Sequence, residues 1–241
     1  MNTFYSPLAY QHEEKYDDKP RLDILELFPG DCRKVLEIGC GTGATGAVIK
    51  EKIQGLYYVG LEVDENAVKI AETRLDKVLA IDLGEIRPDS LPLPQESFDL
   101  LIAADVLEHL YDPWRVMDVL RLFLKSDGKV VLSIPNTQNI HLITNLVQGN
   151  WNYEKYGLLD ATHIRFFTLK EIEKLLIGAG YHILRVSNQL QTPLDNHTFP
   201  LDITIANLVL KNISREEAQK LFTFQYLILA EKVNRSEKEM Q

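Results

Sequence analysis

The chain has few cysteines and no long hydrophobic run. Only two cysteines, Cys32 and Cys40, occur among its 241 residues, and they are spaced neither as a metal pair nor as Cys-x-x-Cys. No apolar run approaches the length of a membrane span, and residues 1–16 lack the basic and apolar parts of a secretory signal. We therefore expect a cytoplasmic protein without disulfides and without a membrane span.

Positive charge is also scarce. The chain has 35 acidic and 26 basic side chains, which gives a formal net charge of -9. Such a surface repels a phosphate backbone, which nucleic-acid-binding proteins neutralise with clustered lysines and arginines. No group of side chains shows the spacing of metal ligands either. We expect no nucleic-acid partner and no bound metal ion, and the sequence gives no indication of the oligomeric state.

Short β-branched runs alternate with amphipathic helical patterns over most of the chain. This alternation is typical of a mainly parallel sheet covered by helices, and it predicts one α/β domain over residues 1–241. Helices are predicted at 65–75, 113–124 and 169–179, the last with Thr168 and Glu171 at the positions of a capping box. The predicted strands are 34–38, 57–61, 77–81, 98–103, 128–134, 181–186 and 222–230.

Two long segments interrupt this alternation. Residues 135–167 are rich in Asn, Trp and Tyr, and residues 188–221 form a second excursion in which Ser214 caps a short helix. Segments of this length between regular elements usually contribute to function or are mobile. We predict that both are insertions on the substrate side of the sheet, or a lid over it.

A glycine-rich turn follows the first predicted strand. A strand, a glycine turn and a helix form an anion or nucleotide site, because glycines let the backbone approach the ligand and the helix offers unpaired N–H groups. Gly41 to Gly46 match the G-x-G-x-x-G of dinucleotide-binding dehydrogenases. Gly39, Gly41 and Gly43, with Glu37 before them, are similar to the first motif of class I methyltransferases that use S-adenosylmethionine (SAM). The turn alone does not separate the two.

Three features beyond the turn favour the methyltransferases. Glu62 ends the second strand, where an acid can accept hydrogen bonds from ribose hydroxyls in either family. Asp82 follows the third strand, where a methyltransferase Asp holds the adenine amino group between apolar neighbours. Residues 91–100 and 103–110 resemble the segment around the fourth strand of class I enzymes, especially those of quinone biosynthesis, and dehydrogenases have no counterpart.

The resemblance continues through residues 133–168. This stretch is similar to a bacterial methyltransferase subgroup often encoded with, or fused to, glycosyltransferases, except that Ala161 stands where the family usually has Arg. The resemblance implies a Rossmann-like, doubly wound fold with a mostly parallel seven-stranded sheet and an antiparallel last strand. It implies SAM as the cofactor, with S-adenosylhomocysteine (SAH) as its product. The implied cofactor-binding residues are Glu37, Gly39, Cys40, Gly41, Gly43, Glu62, Val63, Asp82, Leu83, Ala104 and Asp105.

Methyl transfer from a sulfonium needs little covalent help, because catalysis comes mostly from holding the reacting atoms in line. A hydroxyl acceptor benefits from a general base of near-neutral pKa, which favours histidine. Candidates are His163 and His109, each with an alternative structural role in the loop or helix around it. Asp105 is expected beside the methionine half of the cofactor, or as a helix N-cap. Tyr5, Tyr16 and Arg21 are weaker candidates for closing over the cofactor.

The sequence therefore predicts a SAM-dependent methyltransferase acting on a small-molecule acceptor. Methylation of an oxygen atom on a sugar, a glycan or a quinone-like phenol is favoured. One alternative is a SAM-binding module that lacks catalysis or depends on a partner, and a less favoured one is an NAD-dependent oxidoreductase. Nucleic-acid amino methyltransferases place an Asn/Asp-Pro-Pro-aromatic tetrad after the fourth strand, which residues 104–107 do not resemble.

Overall fold

The computed structural model describes residues 18–233 of the chain. The helices are α1 Ala44–Lys52, α2 Glu65–Ala71, α3 Pro113–Leu120, α4 Ile140–Val147, α5 Leu169–Gly178 and α6 Arg215–Phe222. The strands are β1 Lys34–Ile38, β2 Tyr57–Glu62, β3 Lys77–Ala80, β4 Phe98–Ala104, β5 Leu124–Pro135, β6 Tyr181–Leu190, β7 Leu201–Ile205, β8 Leu208–Ile213 and β9 Thr223–Lys232. No helix within this range is long and apolar enough to cross a bilayer.

Seven strands form one sheet in the order β3-β2-β1-β4-β5-β9-β6. Neighbours from β3 to β5 pair in parallel, and β9 is antiparallel to both β5 and β6. Strands buried on both faces need apolar side chains at successive positions, as Val35 and Leu36 of β1 illustrate. One apolar cluster joins the sheet to α3 and α5, and another joins it to α1 and α2. The predicted doubly wound fold with an antiparallel last strand is confirmed.

The structure differs from the sequence prediction around β5. The strand begins at Leu124 rather than at residue 128, so Asp127, which lies between the predicted helix 113–124 and the predicted strand, is inside it. Leu124 pairs with Phe98, and the register shifts before Leu100 pairs with Lys129, which accommodates the extra residues. The preceding helix stops at Leu120 and continues as a 3-10 turn.

The predicted capping box at α5 is also wrong. Thr168 occupies the N-cap position, but its side chain makes no capping hydrogen bond. Glu171 accepts a hydrogen bond from Lys174 instead, at 2.6 Å. Ser214 does cap α6, with a complete capping box to Glu217, as predicted for the short helix of the second excursion.

Both excursions leave the sheet at the same edge. The first begins where β5 ends at Pro135, and the second runs from the end of β6 to the start of β9. Since β9 is antiparallel, its start faces the carboxyl edge of the parallel strands, and Pro135 pairs there with Gln225. The excursions contain α4, the β7–β8 hairpin and α6, which pack together in a small separate apolar cluster. Their predicted role on the substrate side stays a prediction.

Close packing of α1 on β2 leaves no space for a side chain at Gly46. A Cβ at Gly46 would lie 2.7 Å from Cε1 of Tyr58 and 2.5 Å from Cδ2 of Leu75. The Tyr58 ring is fully buried and its hydroxyl is hydrogen-bonded to Glu37, so it has no room to retreat. We expect Gly46→Ala to lower the free energy of unfolding by about 1–3 kcal/mol, measured by urea denaturation.

A matched control is Gly178→Ala at the end of α5, where an added Cβ meets no atom within 4 Å. Alanine has the higher helix propensity, so this change should raise the stability by up to about 1 kcal/mol. Stabilisation by both substitutions would contradict the packing at Gly46.

Candidate functional site

A cavity of about 450 Å³ lies at the carboxyl edge of the sheet, within the usual size range for small-molecule sites. Its walls come from the residues that follow β1, β2, β3 and β4, because parallel strands end at the same edge. The lining residues are Gly39, Leu61, Glu62, Val63, Ile81, Asp82, Leu83, Asp105, Val106, His109 and Leu110.

The glycine turn begins at Gly39, which has a φ of +62°, a conformation that disfavours other residues. A Cβ at this position would lie 2.6 Å from Cγ2 of Val106, which lines the cavity after β4. The turn and the residues after β4 are therefore in contact only because Gly39 has no side chain.

Glu62 is buried at the end of β2, and its carboxylate shapes this turn. One oxygen accepts a hydrogen bond from the Gly41 N–H at 2.9 Å. The other accepts from the Val63 and Asp64 N–H groups at 2.7 and 3.0 Å. A charge that accepts three backbone hydrogen bonds is well satisfied although only 4% of the residue is exposed. Glu62 is thus a rigid acidic group at the cavity wall.

The wall after β3 is apolar apart from one carboxylate. Asp82 accepts a hydrogen bond from the Gly84 N–H at 2.7 Å and so caps a 3-10 turn. Ile81 and Leu83 line the cavity on either side of it. Two aliphatic side chains flanking an acceptor suit a flat heteroaromatic ring with an amino group.

Asp105 lies on the other side of the cavity in a left-handed conformation, with a φ of +55°. A non-glycine residue with positive φ is strained, and such strain is concentrated at functional sites. The carboxylate accepts hydrogen bonds from Arg21, Ser133 and Gln225. Burial raises the pKa of Asp105, whereas the Arg21 guanidinium acts to lower it. The alternative interpretation of Asp105 as a helix N-cap is wrong, because Val106 occupies that position.

The segment before β1 crosses the glycine turn. The Arg21 N–H donates to Oγ1 of Thr45 at 3.0 Å, and the Thr42 hydroxyl donates to Asp18 at 2.6 Å. The Arg21 side chain donates a hydrogen bond to Asp105, so Arg21, one of the three residues considered for closing over the cofactor, does border the site. Tyr5 and Tyr16 lie outside the described residues.

Glu108, His109 and His163 meet beside the cavity. Glu108 and His109 belong to the 3-10 turn Leu107–His109 after β4, and His109 is its last residue. His163 belongs to the first excursion, and its ring centroid lies 4.8 Å from that of His109. The excursion is fixed there because the Ile164 and Arg165 N–H groups both donate to the Glu108 carbonyl at 2.9 Å.

Hydrogen bonds determine where the two histidines carry their protons. The Thr162 hydroxyl donates to Asp160 at 2.6 Å, so it must accept from Nδ1 of His109, 2.9 Å away. Nδ1 of His163 faces the Leu158 carbonyl at 3.4 Å, and a carbonyl only accepts. Each ring therefore has its lone pair on Nε2. Burial lowers the pKa of both histidines, which favours the neutral rings.

Five of the predicted cofactor-binding residues do not line the cavity. Glu37 lies beneath the turn, and Tyr58 donates a hydrogen bond to it at 3.0 Å, a partner that the sequence did not indicate. Burial raises the pKa of Glu37 to about 8. The other four belong to the turn or to the end of β4: Cys40, Gly41, Gly43 and Ala104. Their predicted contacts with the cofactor stay predictions.

Sequence reasoning missed Glu108 and the network around it. Glu108 was only one residue of a family-like segment, and nothing in its spacing pairs it with His163. The signal that identifies it is burial without a hydrogen-bond partner among residues 18–233, which exists only in the folded chain.

Comparison with known families identifies this architecture. Residues 10–186 match the family model described as "Methyltransferase domain". This match shows that the glycine turn is that of a methyltransferase, and it excludes the dehydrogenase alternative.

Two curated relatives and one solved structure are similar to the chain. A malonyl-[acyl-carrier protein] O-methyltransferase from a Paenibacillus species is 24% identical over 83% of this chain and 76% of its own length. A ubiquinone biosynthesis O-methyltransferase from Cereibacter sphaeroides is 26% identical over 66% of this chain and 64% of its own. A SAM-dependent methyltransferase from Archaeoglobus fulgidus has a TM-score of 0.59 and 22% identity, covering 88% of this chain and 91% of that structure. The last similarity establishes the fold alone.

Glu37 should make the stability of the fold depend on pH. Its pKa is about 8 when folded, against an ordinary value of 4.5, so between these values the folded chain binds one more proton than the unfolded chain. Stability therefore falls as pH rises through this window. Glu37→Gln keeps an acceptor for Tyr58 but does not ionise. The stability of the variant relative to wild type should increase by up to about 1.4 kcal/mol per pH unit.

Urea denaturation at several pH values across the window measures this difference. Glu51→Gln, at an exposed position of α1, is the matched control and should show no such trend. Parallel pH profiles for wild type and Glu37→Gln would contradict the raised pKa.

Proposed function

We propose that this chain methylates an oxygen atom of a small-molecule acceptor. It belongs to the methyltransferase domain family and is a SAM-dependent methyltransferase. The acceptor is a sugar, a glycan or a quinone-like phenol. The observation on which this proposal depends is the position of His109, a neutral imidazole with an unprotonated Nε2, on the wall of the cavity.

The residues around the cavity fit SAM. Glu62 would accept hydrogen bonds from the ribose hydroxyls, as a rigid carboxylate at the end of β2 is suited to do. Asp82 would accept from the adenine amino group, with Ile81 and Leu83 against the two faces of the ring. Asp105 would face the positively charged methionine half, and Gly39 leaves room for the backbone to approach it.

The chemistry requires an acceptor oxygen in line with the transferred group. SAM supplies a methyl group on a positively charged sulfur. The acceptor hydroxyl would give its proton to Nε2 of His109, beside Glu108 and His163, while its oxygen forms the bond to the methyl carbon. The carbon–sulfur bond would break with its electron pair on sulfur, which gives SAH. The side chains contribute by holding these atoms in line and excluding water.

Two observations support oxygen as the acceptor atom. The relatives from Paenibacillus and Cereibacter sphaeroides are both O-methyltransferases by name, and the second belongs to ubiquinone biosynthesis. A hydroxyl has a high pKa and gains most from a basic or electropositive group nearby, such as the cluster described above provides. The similarity of residues 133–168 to methyltransferases linked with glycosyltransferases favours a sugar or glycan among the acceptors.

Asp82 tests the placement of the cofactor. Asp82→Ala removes the acceptor proposed for the adenine amino group and should weaken SAH binding about tenfold, a loss of about 1.4 kcal/mol, in isothermal titration calorimetry. The matched control, Asp89→Ala, changes an exposed aspartate away from the cavity and should leave the Kd unchanged. Equal affinities for the two variants would remove Asp82 from the proposed site.

His109 tests the activation of the acceptor. A panel of sugars, nucleotide sugars and catechol-type phenols is incubated with SAM, and products are identified by mass spectrometry and by the position of the new methyl group. His109→Ala should lower kcat at least about 100-fold while the Kd for SAH stays the same. His182→Ala, at an exposed position of β6, is the control.

Two results would contradict the proposal. If methyl groups are found only on nitrogen or carbon atoms of the products, oxygen is excluded as the acceptor atom. SAH binding without methylation of any acceptor would favour the alternative of a SAM-binding module that lacks catalysis or depends on a partner.

A further inference from the structure

We propose that Glu108, His109 and His163 bind one divalent metal ion beside the cofactor cavity, although the sequence predicts none. One donor atom of each residue lies within 4.8 Å of those of the other two. Four ligands around zinc at about 2.0–2.1 Å lie about 3.3 Å apart, so small side-chain movements would complete the site. The inference that this ion activates the acceptor rests on the proposed function; the inference that it binds does not.

The Glu108 carboxylate is the first reason for a cation. Only 1% of the residue is exposed, and within residues 18–233 neither of its oxygens has a hydrogen-bond partner. Nε2 of His163 lies 3.9 Å from one carboxylate oxygen, which is beyond hydrogen-bonding distance. A buried carboxylate without a partner is costly, and each such group in a native structure calls for an explanation. A metal ion between Glu108 and the histidines supplies the missing positive charge.

The histidines are held in the form that binds metals. Metal-binding imidazoles are neutral and usually donate their other N–H to a carbonyl, a hydroxyl or a carboxylate, which fixes the ring. His109 donates to Thr162, which in turn donates to Asp160, and His163 faces the Leu158 carbonyl. Both Nε2 lone pairs therefore remain free of a proton, and the supporting hydrogen bonds are already made without a metal.

The donor set indicates the class of metal. Two imidazoles and one carboxylate suit first-row transition ions such as Zn²⁺, Mn²⁺ or Fe²⁺, whereas Mg²⁺ and Ca²⁺ prefer oxygen ligands alone. Catalytic zinc sites have three protein ligands and keep a position for water or substrate. His109 lines the cavity, so an open position on this ion would face the space where the acceptor must lie.

An ion at this place explains how a hydroxyl is activated. A divalent cation stabilises the negative charge on an acceptor oxygen, so the hydroxyl gives up its proton to solvent at a lower pH. The oxygen then forms the bond to the methyl carbon, and the carbon–sulfur electron pair returns to sulfur. When the ion is bound, it takes over from Nε2 of His109 as the group that activates the hydroxyl, because Nε2 is then a metal ligand.

Cobalt is a suitable probe, because Co²⁺ occupies nitrogen and oxygen sites of this kind and its visible absorption reports the ligand geometry. The full chain is stripped with a chelator, dialysed and titrated with Co²⁺, with Zn²⁺ and Mg²⁺ as competitors. We expect one Co²⁺ per chain, displaced by Zn²⁺ but not by an equal concentration of Mg²⁺. No saturable absorption change in the wild-type chain would overturn the site.

Three variants assign the ligands. We expect Co²⁺ binding to be weakened by more than about 100-fold in each of His109→Ala, His163→Ala and Glu108→Gln. Loss of a residue that only hydrogen-bonds a metal ligand already lowers metal affinity about 10–100-fold. His182→Ala is the control and should bind like wild type. His109 is exposed and glutamine matches the shape of Glu108, so these two variants test the site even if His163→Ala fails to fold. Unchanged binding in either of them would overturn the proposal.

The same samples separate this inference from the proposed function. SAH binding is measured in Glu108→Gln and His163→Ala without metal and should stay unchanged, because neither residue lines the cavity. If chelator leaves methyl transfer intact and Co²⁺ does not bind, the metal site is wrong and the proposed function stands. If Co²⁺ binds as described but no hydroxyl is methylated, the metal site stands and the proposed function is wrong.

Discussion

Parallel pairing of neighbouring strands places their carboxyl ends along one edge of the sheet, and the functional residues depend on this arrangement. The turn after β1, Glu62 at the end of β2, Asp82 after β3 and Asp105 after β4 are distant in sequence but share one cavity. Antiparallel pairing of β1 with its neighbours would place these ends at opposite edges. The antiparallel strand β9 contributes as well, because its first residues return to this edge and bring Gln225 to Asp105.

Three buried glutamates near this edge are accommodated in different ways. Glu62 accepts three backbone N–H bonds, so it stays rigid at the cavity wall. Glu37 has one hydroxyl partner, and burial raises its pKa to about 8. Glu108 has no hydrogen-bond partner within the described part of the chain, and burial and the nearby Asp105 raise its pKa. A carboxylate fixed by the backbone can bind a ligand without rearrangement, whereas a buried carboxyl without partners favours its neutral form unless a cation binds beside it.

The first excursion contributes to the site through its backbone. Its Ile164 and Arg165 N–H groups donate to the Glu108 carbonyl, which fixes the loop against the 3-10 turn after β4. This attachment brings His163 to His109 and orders Asp160 and Thr162 behind them. A loop bound in this way can both position side chains at the cavity and exclude water from it.

The elements and the identity of the cofactor follow from local patterns. Alternating apolar runs and helical periodicity predicted all seven strands of the main sheet, and the central strands give the strongest pattern because burial on both faces favours apolar residues at successive positions. The predicted start of β5 at residue 128 was wrong: the strand begins at Leu124, and a register shift against β4 accommodates the extra residues. The predicted capping box of Thr168 and Glu171 is absent, and Glu171 accepts a hydrogen bond from Lys174 instead.

The sequence by itself determined the fold class, the glycine turn and the membership of a family that uses SAM, because each depends on residues close together along the chain. Only the tertiary structure decided that Arg21 reaches Asp105, that Tyr58 donates to Glu37, and that Glu108 meets His109 and His163. These contacts join residues that are far apart in sequence, and their chemistry depends on burial. Whether a buried carboxylate has hydrogen-bond partners is a property of the folded chain, and the spacing of residues along the sequence does not predict it.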